Sequence, residues 1–265
     1  MAKRLKPISH EDRLSLVEHL DELRSRIIFS AVAFGVAFAL CFWQNELILE
    51  IVNRPLESVD EILLDPGGKP VSLGVTEQFT TTFMVSAYAA VLLALPMLLY
   101  QAYAFILPAF SPGERKVALP LLLMVPVLFV SGVLFGYFIV LEPAIDFLLN
   151  FNAEEFTTAL RARDYYGFVG LALISLGILF QVPVGILGAT RLGIVTPEQL
   201  QKNRRYAILA IAVLAALLTT IDPVTLLLEM IPLVILYEAS ILLAKAFGRR
   251  DEEVSDQLAS ASESS

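Results

Sequence analysis

Few side chains in this chain could do bond-making chemistry. It has two histidines and one cysteine: His10, His19 and Cys41. A single cysteine forms no intramolecular disulfide and offers no cysteine-based metal site. His10-Glu11 opens like a zinc-binding His-Glu-x-x-His pair, but Leu14 stands where the second histidine belongs. No glycine-rich phosphate loop ending in Lys-Ser or Lys-Thr occurs, and no nucleophile stands with a base. The sequence therefore predicts no catalytic residue, no metal and no cofactor.

The polar residues that remain sit in telling places. Gln181, Glu229 and Glu238 interrupt apolar runs. Ionisable groups in such runs are expensive and point to function. Glu229 and Glu238 are nine residues apart, which at about 100° per residue puts them on opposite helix faces. Their plainer explanation is pairing near a membrane surface, Glu238 with Lys245 two turns on and Glu229 near the other end. Glu22 is either half of an i,i+4 pair with Arg26, worth a few tenths of a kcal/mol, or a carboxylate offered to a cationic ligand. Glu114 follows Ser111-Pro112-Gly113, which reads as a capping box, so it can serve its own helix.

The elements that hold these residues are membrane spans. The chain has 265 residues, 57% hydrophobic and 17% charged, with mean hydropathy +0.71. A soluble domain carries roughly 25% charged residues, and no basic patch suggests nucleic acid. About twenty apolar residues cross roughly 30 Å of hydrocarbon. Runs near 27–43, 79–107, 117–141, 165–190, 206–221 and 223–244 predict six transmembrane helices in an all-α integral membrane protein. The fifth is short, and Asp222-Pro223 joins it directly to the sixth, with Asp222 as N-cap. Pro96, Pro120, Pro126, Pro183 and Pro232 within the runs predict a curved bundle.

Charge gives the orientation. Fifteen of the 19 Lys and Arg fall in the N-terminal arm, the second and fourth loops and the C-terminal end. The positive-inside rule places both termini in the cytoplasm, hence the cytoplasmic (inner) membrane. No cleavable leader is read in the mixed-charge N-terminal arm. Residues 249–265 read as a disordered acidic cytoplasmic tail, leaving 1–248 as the membrane domain. The first outer loop, Gln44 to Glu77, carries seven acids against two bases. Within it, Glu46 to Leu64 has helical apolar spacing and predicts an amphipathic helix bent at Pro55, followed by a turn over Asp65 to Pro70. Thr196-Pro197-Glu198-Gln199 repeats the capping grammar before the fifth span.

A set of short motifs resembles one family. His19-Leu20-x-Glu22-Leu23-Arg24-x-Arg26 precedes the first span. Tyr100-Gln101-x-Tyr103-x-Phe105-x-x-Pro108 and Glu114-Arg115 follow. Then come Phe135-x-Tyr137-Phe138, Phe180-Gln181-Val182-Pro183, Gly193-Ile194-x-Thr196-Pro197-Glu198, Arg204-x-Tyr206, Leu218-Thr219 with Asp222-Pro223, and Ile231-Pro232 with Tyr237-Glu238. Together, over residues 14 to 247 and in order, these resemble the TatC family, the receptor subunit of twin-arginine protein translocases. The resemblance implies a glove-shaped six-helix scaffold with short fifth and sixth helices. It implies binding of twin-arginine signal peptides through Glu22 and Glu114, flanked by Leu20, Arg24 and Phe105. It also implies export of folded cargo on the proton motive force, with TatA- and TatB-type single-span subunits and further copies of the chain as partners. Position 181 is often glutamate in that family and is glutamine here. The competing reading is a proton-coupled small-solute transporter built on Glu229 and Glu238.

Overall fold

A computed structural model describes residues 10–58, 69–106, 112–151, 155, 159–191, 193–218 and 222–263. Side chains are described over 20–56, 69–105, 123–151, 155, 159–190, 193–217 and 222–245. In hydrocarbon every backbone N–H and C=O must be satisfied within the protein, which favours helices, and the described chain is a succession of them. α1 is His10–Trp43. α2 is Asn45–Asn53 and passes into a 3-10 turn at Arg54–Ser58. α3 is Glu77–Ile106. α4, Pro112–Phe135, runs through a π-helical turn at Gly136–Val140 into α5, Leu141–Asn150. α6 is Ala162–Leu179 and α7 is Val182–Arg191. α8 is Pro197–Lys202, α9 is Arg204–Leu218 and α10 is Pro223–Glu263.

Among the described residues, five helical runs are long and apolar enough to cross a membrane: Leu20–Trp43, Glu77–Phe105, Leu123–Asn150, Ala162–Thr190 and Pro223–Lys245. The expected fifth span falls on α9, which has 15 residues and reaches only about 22 Å at 1.5 Å per residue. The apolar part of α10 has 23 residues, a full span's length, so of this pair only α9 is short.

Three boundaries differ from the sequence reading. The third run does not stop at Leu141. It continues to Asn150 because Leu141, Ala144, Ile145 and Leu149 stay buried while Glu142 and Asp146 face outward. The fourth run is broken at Phe180-Gln181. Pro183 has no N–H to donate and its ring crowds the carbonyl of Leu179. The segment expected to be a disordered tail is helical as far as Glu263, since Glu253, Gln257, Leu258 and Ala259 are good helix formers with no proline among them. The amphipathic helix of the first loop is present as α2. Helix type changes at Arg54-Pro55, the place of the expected bend, and 59–68 lie outside the described residues.

Packing uses small residues. Gly132 and Gly136 form a Gly-x-x-x-Gly face on α4 and its π turn. A Cβ on Gly132 would sit 2.7 Å from the Leu176 carbonyl oxygen, and one on Gly177 of α6 would sit 2.4 Å from the Phe129 ring. Such close approach lets the two backbones gain dispersion contacts that lipid cannot replace. Gly193 ends α7 in the left-handed region, at φ +68. Its N–H donates to Thr190 at 3.2 Å and that of Ile194 to Ala189 at 3.0 Å, a Schellman arrangement.

Candidate functional site

The N-terminal motif and the end of α3 meet at one end of the bundle. Arg26 joins them. Its Nε and Nη2 donate to Oε1 of Glu22 at 2.9 and 2.6 Å. Its Nη1 donates to Oε1 of Gln101 on α3 at 2.7 Å. The i,i+4 pair read from the sequence is therefore real, and it is one arm of a link between α1 and α3. Both side chains stay partly open to solvent. Leu20 and Arg24 are exposed beside the pair, and Phe105 is half-buried at the end of α3. Glu114 lies in the first turn of α4; its side chain and the Ser111 cap fall outside the described residues.

The other caps read from sequence are in place. Thr196 Oγ1 accepts from the Gln199 N–H at 3.2 Å, and Gln199 Oε1 accepts from the Thr196 N–H at 3.1 Å. This box opens the short α8, not the span itself. Asp222 Oδ1 accepts from the Thr225 N–H at 2.7 Å and starts α10 as expected.

Toward the opposite end, α1, α3, α4 and α6 leave an apolar cleft of about 510 Å³ roofed by α2, with Cys41, Tyr88, Leu93, Tyr137, Phe138 and Tyr166 among its walls. Three tyrosines hold the roof. Tyr137 donates to the Ile51 carbonyl and Tyr165 to the Val52 carbonyl, each at 2.6 Å, and Tyr166 donates to Oδ1 of Asn53 at 3.0 Å. The two carbonyls belong to the last turn of α2, where helical partners run out; that of Ile51 also accepts the N–H of Arg54 at the C-cap. Sequence reading missed this role. Its signal was the pairing of aromatic residues, Tyr137-Phe138 and Tyr165-Tyr166, near the ends of two apolar runs.

The intramembrane polar residues are separate from both features. Gln181 is only 8% exposed. It sits at the break between α6 and α7, and its Nε2 donates to the Val125 carbonyl of α4 at 3.1 Å. Its Oε1 has no hydrogen-bond partner among the described residues. It is therefore a packed residue and not a wall of the cleft. Glu229 is fully buried, in line with Thr225, Leu233 and Tyr237 on the inward stripe of α10. Glu238 faces elsewhere, as the spacing predicted, but its partner is not Lys245. Arg204 Nη2 on α9 donates to Glu238 Oε2 at 2.8 Å, while Lys245 reaches Gln201 on α8 at 2.8 Å. The hairpin brings α9 closer to Glu238 than its own helix brings the next lysine.

The profile of the family described as "Sec-independent protein translocase protein (TatC)" matches residues 18–232. The chain belongs to the TatC family. A TatC of Desulforapulum autotrophicum is 34% identical over 249 residues, covering 94% of this chain and 91% of that protein. A TatC of Aquifex aeolicus is 36% identical over 244 residues, covering 91% and 99%. A crystal structure titled as the twin-arginine translocase receptor TatC in DDM superposes with TM-score 0.72 at 35% identity, covering 85% of this chain and 99% of that one. With its apolar helices, this TatC-family chain is a multi-pass, all-α membrane protein.

Proposed function

We infer that this chain is the receptor and core subunit of a twin-arginine translocase. In this reading it binds signal peptides bearing two adjacent arginines and, with TatA- and TatB-type single-span subunits and further copies of itself, exports folded proteins on the proton motive force. The carrying observation is that the Glu22 carboxylate already holds a guanidinium through two N–H groups. A carboxylate engaged this way discriminates arginine from lysine, whose ammonium cannot supply the fork. Glu114 opens the neighbouring α4 and is the natural second carboxylate. Leu20, Arg24 and Phe105 flank the pair. The apolar cleft beneath α2 suits the apolar part of the same peptide.

The proposed placement has residues 1–248 in the cytoplasmic membrane as six spans, with α9 as the fifth. The acidic tail and both termini are cytoplasmic, as the bias of basic residues requires. Glu229 and Glu238 do not favour the solute-transporter reading. One is enclosed in the α10 core stripe and the other is bound to Arg204, so they share no path.

Binding of a twin-arginine signal peptide to the purified protein in detergent tests the reading, beside its Lys-Lys variant and with Glu22→Gln and Glu114→Gln in parallel. Arg-selective binding that each variant weakens is expected, by about tenfold for a lost charged hydrogen bond of roughly 1.5 kcal/mol. Equal binding of both peptides, unchanged in both variants, overturns it.

A further inference from the structure

Just before α3, Leu73 and Val75 face outward while the Glu77 carboxylate turns inward. Val75 is 102% exposed and Leu73 is 70% exposed, in the last stretch of the first outer loop. Two residues on, Glu77 does the opposite: its carboxylate is buried. Oε2 accepts the N–H groups of Leu73 at 2.9 Å and Gly74 at 3.1 Å, and Oε1 accepts Nε of Arg161 at 2.7 Å. The N–H of Glu77 returns to the Gly74 carbonyl at 3.1 Å. The turn is thus closed on itself. It is also tied to the start of α6, where Val71 donates to the Leu160 carbonyl at 2.8 Å and accepts from Ala162 at 2.9 Å.

Water would satisfy these backbone groups without help. A turn entering the headgroup–hydrocarbon boundary must satisfy them internally. The neighbourhood agrees. Val75 stands four residues before Phe79, which stands four before Phe83, so the three follow one another along the start of α3. Both phenylalanines are exposed and meet at a centroid distance of 6.5 Å, and Phe83 also packs against Phe42 of α1. Trp43, 83% exposed at the end of α1, lies next to Phe42. An exposed Trp at the end of a spanning helix marks a membrane interface, and the exposed Phe79 and Phe83 offer it an apolar surface.

We propose that the Leu73–Val75 turn is a lipid anchor, a preformed wedge that enters the bilayer interface on the α2 side of the protein, with Glu77 as the residue that sets it. The occupant of the surface is lipid, because the exposed turn continues directly into a helix face that must itself meet lipid.

Trp43 is the only tryptophan in the chain, which makes the test direct. The full chain is reconstituted in phosphatidylcholine vesicles whose acyl chains carry bromine, a contact quencher. In the wild type, Trp43 reports the interface. In Trp43→Phe carrying Val75→Trp, the new tryptophan should show blue-shifted emission, lose as much intensity to bromolipid as Trp43 does, and resist aqueous iodide. Leu73→Trp in the same background should behave alike, and it covers the case in which the first variant folds poorly. Adding Glu77→Ala should lower bromine quenching at position 75 and raise iodide quenching. Water-like emission quenched by iodide, at both positions, overturns the proposal. So does emission quenched by neither agent, which would place the turn against protein, such as a second copy.

Discussion

A buried cap and a buried amide carry different loads, and both can be measured. Asp222 supplies the first hydrogen bond of α10 to the Thr225 N–H from a site that is 7% exposed. Removing an N-cap carboxylate costs about 1 kcal/mol, more where water cannot replace it. Asp222→Ala should therefore lower the thermal midpoint in detergent, and Asp222→Asn should restore most of the loss. Gln181 is judged by its surroundings. Its amide donates to the Val125 carbonyl, and no cation is paired with it among the described residues. Gln181→Glu would bury an unpaired carboxylate in the ionised state. It should lower membrane yield and thermal midpoint, whereas Gln181→Met, which loses one hydrogen bond of about 1 kcal/mol, should be milder. Equal stability of the wild type and Gln181→Glu would mean that water reaches the site. Sequence alone could flag Gln181 as polar inside a span. It could not show that the amide nitrogen donates to a backbone carbonyl 56 residues earlier. Caps were legible at this scale because their partners lie three residues away; the Arg204–Glu238 pair was not, since its partners are 34 residues apart.

At the scale of elements, the apolar runs gave the helices, and proline gave one break in hindsight: Pro183 forces the step between α6 and α7. The π turn at Gly136–Val140 had no legible signal, because one extra residue in a helical turn leaves composition unchanged. The clamp on α2 was hidden for another reason. Its hydrogen bonds join residues 86 and 113 apart, and such pairings exist only once the bundle closes. The contact between α4 and α6 depends on glycines that admit a ring and a carbonyl. Gly177→Val should therefore push Phe129 aside and separate the helices. Overpacking of this kind costs about 1–3 kcal/mol, readable as a lower thermal midpoint and reduced accumulation in the membrane. An unchanged midpoint would show that α4 and α6 can shift apart freely.

At the scale of the molecule, the charge asymmetry and the ordered motifs were sufficient to indicate a multi-pass TatC-family protein. Where exactly each crossing ends was less legible, because a helix neither begins nor stops where hydropathy does. α10 shows this by running 18 residues past Lys245 to Glu263. If that extension serves only as a solvated tail, truncation after Arg250 should leave export of a twin-arginine reporter unchanged. Loss of export with normal membrane levels would assign it a role.

If Glu22 is the carboxylate that meets the signal peptide, as proposed, the Arg26 fork has a consequence for how tightly the receptor would hold its ligand. At rest the carboxylate is not vacant. It is occupied by a guanidinium tethered one helical turn away, and a tethered competitor acts at an effective concentration of order millimolar. A visiting arginine gains only the difference between two nearly identical contacts, so the exchange is close to thermoneutral and readily reversed. A visiting lysine, with no fork to offer, loses that exchange outright. On that assignment, stringency and easy release would come from the same side chain: each candidate would be compared with the protein's own arginine, and the winner released as soon as the next step pulls.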